Sequence, residues 1–171
     1  MITMCSSRSQ PLEYSLEFPD HLYKPIRDHQ WPIVYCQEYN IKLLGLEKLH
    51  PFDAHKWGHI FQILKKKGLI SEDTVIQPNK VKTEDLLLVH TKGYIKSLKS
   101  SCTIARITEI LPLILVPNCT LQRKYLKPMR YQTGGSILAG RLALERGWAI
   151  NIGGGFHHCS SSRGGGFCPL R

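Results

Sequence analysis

Trp148-Ala-Ile-Asn-Ile-Gly-Gly-Gly-Phe-His157-His158 is the stretch from which the fold is read. Its first five residues form an apolar run, broken only by Asn151, that suits a parallel strand covered on both faces. Three glycines then make a turn that can take positive φ and let the backbone approach a neighbour closely. Two histidines follow directly. In open α/β sheets the chemistry sits at such a place, just past the carboxyl end of a strand. Upstream, Ser136 to Arg146 carries Ile137, Leu138, Ala139, Leu142 and Ala143 on a helical period, and Gly147 supplies the stop. Helix, glycine, buried strand and glycine turn make part of a βαβ unit. The fold class that follows is α/β, a parallel sheet flanked by helices.

The 171 residues suit one domain of the usual ~100 to 200, and neither a repeat nor a low-complexity linker divides them. With 42% apolar and 21% charged residues, the chain is neither a disordered tail nor a fibre. The net charge of +10 could steer it toward nucleic acid. The basic residues are scattered, however, and the densest run, Lys65-Lys66-Lys67, reads as a helix end. No aromatic interleaving or recognition motif accompanies the charge, so direct nucleic-acid binding is not expected. The six cysteines lack C-x-x-C spacing, and Met1 to Gln10 is polar, which makes a reducing compartment the default. Ile110 to Val116, interrupted by Pro112, is far shorter than the ~20 residues of a spanning helix, so no membrane partner is expected.

Residues 1–30 show no consistent period and read as a poorly structured extension, with the domain proper over 31–171. Pro32 to Tyr35 is a short β-favouring run. Pro51-Phe52-Asp53 resembles a helix start, with Trp57, Ile60, Phe61 and Leu64 on one face and Gly68 as the stop. Thr83-Glu-Asp85 suits another N-terminus, and Leu86 to Val89 fits either its buried face or a short strand. Tyr94, Ile95 and Leu98 suggest a short helix to about Lys99, whereas Cys102 to Asn118, with β-branched residues and two prolines, reads as irregular.

Adjacent histidines can simply hydrogen-bond a turn. The glycine runs Gly153 to Gly155 and Gly164 to Gly166 favour a functional use, because such loops are costly unless something exploits the close approach. Neighbouring residues on a turn rarely share one ion, and the separation of Cys159 and Cys168 matches no zinc module. Neither glycine run has the pattern of a phosphate loop. Proton transfer is the better use of His157 and His158.

From Trp31 to Cys168 the chain resembles the N-terminal portion of a class IV histone deacetylase. The motifs are Trp31-Pro-Ile-Val-Tyr35, Gly45-Leu-Glu-Lys-Leu-His-Pro-Phe-Asp53, Gln132-Thr-Gly-Gly135, Glu145-Arg-Gly-Trp-Ala-Ile-Asn151 and Gly153-Gly-Gly-Phe-His-His-Cys-Ser-Ser161. The resemblance implies an arginase/deacetylase-like fold and hydrolysis of acetyl or long fatty-acyl groups from lysine side chains of histones and other proteins. It also implies possible co-regulator partners and a nuclear and cytoplasmic distribution. By the same resemblance His157 and His158 are the catalytic dyad, the second moving the proton and the first stabilising charge. Gly166 holds the substrate amide through its carbonyl, Phe167 walls the acyl-lysine tunnel, Phe156 lines its floor, and His50 to Asp53 lie near the mouth. Helix capping explains Asp53 equally well.

The complete family enzyme uses zinc, which activates water and polarises the amide. The resemblance implies that zinc is held by an Asp-x-His pair and a further Asp that follow the glycine-rich loop, with a late tyrosine on the oxyanion. After Cys168 this sequence reads Pro169-Leu-Arg171, and Ser162 stands where the family pattern has an acidic residue. The expectation is a partial fold truncated before the metal-bearing strand, with no metal ligand and no zinc bound by this chain itself, and little or no activity alone. A non-catalytic interaction or dominant-negative fragment is the alternative.

Overall fold

The computed structural model describes residues 18–171. The sheet among them is small and parallel. Strand β1 (Ile33–Val34) pairs with β2 (Ile150–Asn151) in the register Ile33 to Ile150 and Val34 to Asn151. On the other edge of β1, Ile76 adds a single parallel bridge to Val34. Helices α1 (Lys56–Lys66), α2 (Thr83–Leu87), α3 (Lys92–Ser97), α4 (Ser101–Thr108), α5 (Asn118–Leu121) and α6 (Lys127–Arg146) accompany it, and α6 packs against both strands. The fold class is α/β, as read from the sequence.

Helix α1 starts at Lys56, later than Pro51-Phe52-Asp53 suggested, and buries Trp57 and Phe61, while Ile60 of the expected face is exposed; Gly68 at φ +69° ends it. At the start of α2, Asp85 turns its carboxylate back to accept the Lys82 amide at 2.6 Å, so the cap lies one residue before Thr83. Thr91 caps α3 by accepting the Tyr94 amide.

Three readings are corrected. Cys102 to Asn118 is not irregular: it contains most of α4 and a 3-10 helix, Leu111–Leu115. Ile104, Ile107 and Thr108 form a buried stripe, the Thr108 hydroxyl donates back to the Ile104 carbonyl at 2.9 Å, and Pro112 falls in a first turn where no amide is needed. The C-terminal helix begins well before Ser136. Chain continues helically from α5 through a π-turn at Gln122–Leu126 into α6, and Gly134-Gly135, which looks like a break, lies inside it. A Cβ on Gly134 would lie 2.0 Å from the Asn79 carbonyl, and one on Gly135 would lie 1.9 Å from the Tyr39 hydroxyl. Close packing, not a turn, requires these two glycines. Finally, β2 is not covered on both faces. Asn151 points toward α6, while Ile150 points the other way and is 51% exposed.

Residues 1–17 of the expected extension lie outside the described residues. Residues 18–30 are packed rather than loose. Leu22 is fully buried in a short 3-10 helix, and Tyr23 and Ile26 pack against Val34, Leu138 and Leu142. Asn79 and Asp85 hold His21 at its carbonyl and its ring, at 2.7 and 2.9 Å.

Candidate active site

The site grows from the end of β2. The Asn151 carboxamide oxygen accepts the Tyr39 hydroxyl at 2.8 Å and the Gly153 amide at 3.1 Å. Its nitrogen donates to the Gln132 carbonyl and to the Ser136 hydroxyl on α6. Gln132 in turn donates to the Tyr39 carbonyl at 2.8 Å. Strand end, α6 and Tyr39 are thereby tied to the first residue of the glycine turn. Burial pushes the Tyr39 pKa well above its ordinary value, so the hydroxyl stays a donor. A Cβ on Gly153 would lie 2.4 Å from the Tyr39 ring, which makes glycine obligatory there.

Beyond Gly155, at φ +96°, come the two histidines. Both are exposed, with ring centroids 4.1 Å apart and planes inclined by 36°. His157 Nδ1 lies 3.2 Å from the Gly155 carbonyl, so the tautomer with the proton on Nδ1 donates there and leaves Nε2 free to accept. The second glycine run comes back against this pair. A Cβ on Gly166, which sits at φ +50°, would lie 3.0 Å from Cγ and Cδ2 of the His158 ring. Paired backbone bonds between Gly165 and Cys168 shape that return. His157, His158 and Gly166 are therefore one cluster.

The aromatic residues lie deeper. Phe167 is fully buried at φ +63°, donates its amide to the Ile107 carbonyl and accepts the Tyr125 hydroxyl on its own carbonyl at 3.1 Å. Its ring stacks on Phe52 at 5.0 Å, and Phe52 also meets Phe156 at 5.8 Å. Phe156 and Phe167 are thus joined through Phe52, a residue that the sequence reading places at a helix start near the tunnel mouth. His50 packs 5.5 Å from Phe167 and accepts the Phe52 amide on Nδ1 at 3.0 Å. Asp53 accepts the His55 amide at 2.8 Å and approaches the His59 ring at 3.2 Å, but α1 starts at Lys56 with His55 as its N-cap, so Asp53 lies before the helix and does not cap it. A cleft of about 300 Å³ opens beside the turn, with Gly153 to Phe156 on one side and Leu86, Val89, Met129 and Ile137 around it. Neither histidine lines it.

Cys159 and Cys168 are buried beneath the loop with Tyr94. The Cys159 thiol donates to the Pro169 carbonyl at 3.4 Å and the Cys168 thiol to the Leu170 carbonyl at 3.5 Å, and the interaction between the two sulfurs holds the Cys159 pKa below and the Cys168 pKa above the ordinary thiol value. Among the described residues no three His, Cys, Asp or Glu side chains converge on one point. Two adjacent imidazoles are too few donors for a closed or catalytic zinc site. The described side chains do not fit that ion.

A small parallel sheet with two glycine loops and paired imidazoles at its carboxyl end defines an α/β protein with a candidate site at that end. The histone deacetylase domain model matches residues 50–170, and the chain belongs to that family. It is 54% identical over 138 residues to Histone deacetylase 2 of Arabidopsis thaliana, covering 81% of this chain and 36% of that protein. Acetoin utilization protein AcuC of Staphylococcus aureus is 28% identical over 127 residues, 70% of this chain and 32% of its own. The chain spans about a third of the length of these two relatives.

Proposed function

We propose that residues 31–171 supply the dyad and part of the substrate wall of a class IV protein lysine deacylase domain. The observation that carries the reading is the cluster of His157, His158 and Gly166 at the end of β2, where two glycine loops meet. His158 moves a proton to and from the reacting amide, and His157 stabilises the charge that develops, its orientation set by the Gly155 carbonyl. The Gly166 carbonyl accepts the substrate amide, and Phe156 and Phe167, bridged by Phe52, give the acyl-lysine chain an apolar lining. The class IV assignment rests on the motif set from Trp31 to Ser161. Acylated lysines of histones or other proteins are the substrates, in the nucleus and cytoplasm. Zinc, held in the complete enzyme by residues outside these 171, would supply Lewis-acid activation of water and carbonyl.

A polypeptide of these 171 residues is inactive by itself under this reading, because among the described residues no metal donors converge beside the dyad. The test has two arms. Nuclear magnetic resonance titration of the purified chain with acetyl-lysine and myristoyl-lysine peptides shifts signals of Gly164 to Phe167 and of both imidazoles; an unmoved loop removes the substrate role. Zinc content and turnover are then measured on the same sample. Stoichiometric zinc with chelator-sensitive turnover defeats the inactivity.

A second reading, a non-catalytic interaction or dominant-negative fragment, is favoured by exposed apolar side chains. Leu88, Leu111, Leu115 and Leu144 are each more than two-thirds exposed, at 81, 73, 88 and 83%. Co-purification of the chain with a complete deacetylase, lowering its activity, separates this reading from the first.

A further inference from the structure

We propose that the cleft between α3 and the helical segment 122–130 is a docking groove for an acidic, amphipathic helix of a partner protein. The cleft encloses about 380 Å³, and no residue from Gly153 to Phe167 lines it, so it is separate from the histidine cluster. Its apolar lining comes from Leu87, Ile95, Leu98, Leu126 and Leu170.

The charge around that lining is one-sided. Lys92, Lys96 and Lys99 line one wall and Arg130 the other, and no carboxylate lines the cleft. Lys92, Ile95, Lys96 and Lys99 recur at three- and four-residue spacing, so cations and apolar contacts alternate along a single helical edge. None of the four cations forms an ion pair among the described residues. Arg130 donates to the Val81 carbonyl and the Thr83 hydroxyl, which fixes the guanidinium plane. Burial lowers its pKa, while Glu84 and Asp85 on α2 oppose that shift. Of those two, Asp85 is already engaged by His21 and the Lys82 amide.

The walls are held at a fixed spacing. Gln122 donates across the cleft to the Leu98 carbonyl at 2.8 Å, joining α3 to the segment that leads into α6. A groove with helical walls, apolar inside and cationic outside, fits a helix that inserts apolar anchors one turn apart and carries carboxylates on its flanks. Rim charges of this kind set partner choice and encounter rate more than total affinity. Charge complementarity therefore selects an acidic helix over a basic or neutral one.

The probe is a fluorescein-labelled synthetic helix about fifteen residues long, with leucines at helical spacing and glutamates between them, titrated into the purified chain and followed by anisotropy. Saturable binding is expected, weakened about ten-fold or more by Lys92→Glu with Lys96→Glu and by raising salt from about 0.05 to about 0.3 M. Replacing the peptide leucines by serine abolishes it. Lys99→Glu alone, at an exposed position, provides the same readout if the double variant does not fold by circular dichroism. The proposal is overturned if the charge-reversed peptide binds as well, if binding ignores these substitutions, or if only a small amphipathic anion such as dodecanoate binds.

Discussion

At the scale of single residues, the site depends on a side chain that carries no chemistry of its own. Asn151 accepts from a buried tyrosine and from the first amide of the glycine turn while donating twice to α6. Removing the carboxamide leaves the Tyr39 hydroxyl without an acceptor in a position of zero exposure, and an unmet buried donor costs about 1–3 kcal/mol. Asn151→Ala is expected to lose about that much in urea unfolding, and amide exchange at Gly153 to Gly155 is expected to rise beyond the global change. A variant with unaltered stability and unaltered exchange in the turn would show that Asn151 does not position it. Tyr39 is not visible as a site residue in the sequence, and Phe52 only through the resemblance that sets His50 to Asp53 near the tunnel mouth. Each acts through a contact more than a hundred residues distant, and no local pattern encodes such a partner. His157 and His158 stand out in the sequence because glycine runs beside histidines are unusual within a few residues, whereas the role of Gly166 is implied only by the family resemblance.

Among the elements, α6 shows where local reading succeeds and where it fails. Its last three turns follow from apolar spacing and the Gly147 stop, since both signals are local. Its first three turns do not, because Gly134 and Gly135 have low helix propensity and read as a break. Packing overrides propensity there, with Asn79 and Tyr39 reaching into the space that side chains would fill. The same logic explains β2, whose apolar residues suggested cover on both faces although Ile150 meets solvent. Gly140 provides the contrast within α6, since a Cβ there meets nothing within 4 Å. Gly140→Ala is expected to stabilise by about 0.5–1 kcal/mol, raising Tm by about 1–4 °C. Gly135→Ala is expected to destabilise by about 3 kcal/mol or more, because its Cβ would collide with the enclosed Tyr39 ring and hydroxyl. Thermal melts of the two variants, side by side, decide whether α6 needs glycine at 135 for approach rather than for flexibility. Equal melting temperatures would sink that account.

Across the whole molecule, three enclosed phenols tie distant segments together. Tyr39 donates to Asn151, Tyr94 to the Pro169 carbonyl and Tyr125 to the Phe167 carbonyl, at 2.8, 2.6 and 3.1 Å. Burial raises all three pKa values above the ordinary phenol range, and burial likewise pushes the Cys36 thiol up to about 12. A raised acid pKa means that the folded chain holds its proton at a pH where the unfolded chain has released it. Stability from these groups is therefore complete below about pH 9 and falls as pH rises through the interval between the unfolded and folded values, from about 9 to 12 for Cys36 and from about 10 upward for the phenols. Because each tyrosine must give up a hydrogen bond that fastens the site to the core, its ionisation and the loss of structure are one event. Spectrophotometric titration at the tyrosinate band, run beside far-ultraviolet circular dichroism, is expected to show two classes among the seven tyrosines. Less enclosed phenols such as Tyr23 and Tyr131 ionise first and reversibly, and Tyr39, Tyr94 and Tyr125 ionise only as helical signal disappears. A single reversible class with the dichroism intact would mean that the phenols reach water without unfolding, and the links from Asn151, Phe167 and Pro169 to the core would then not be what holds the histidine loop in place.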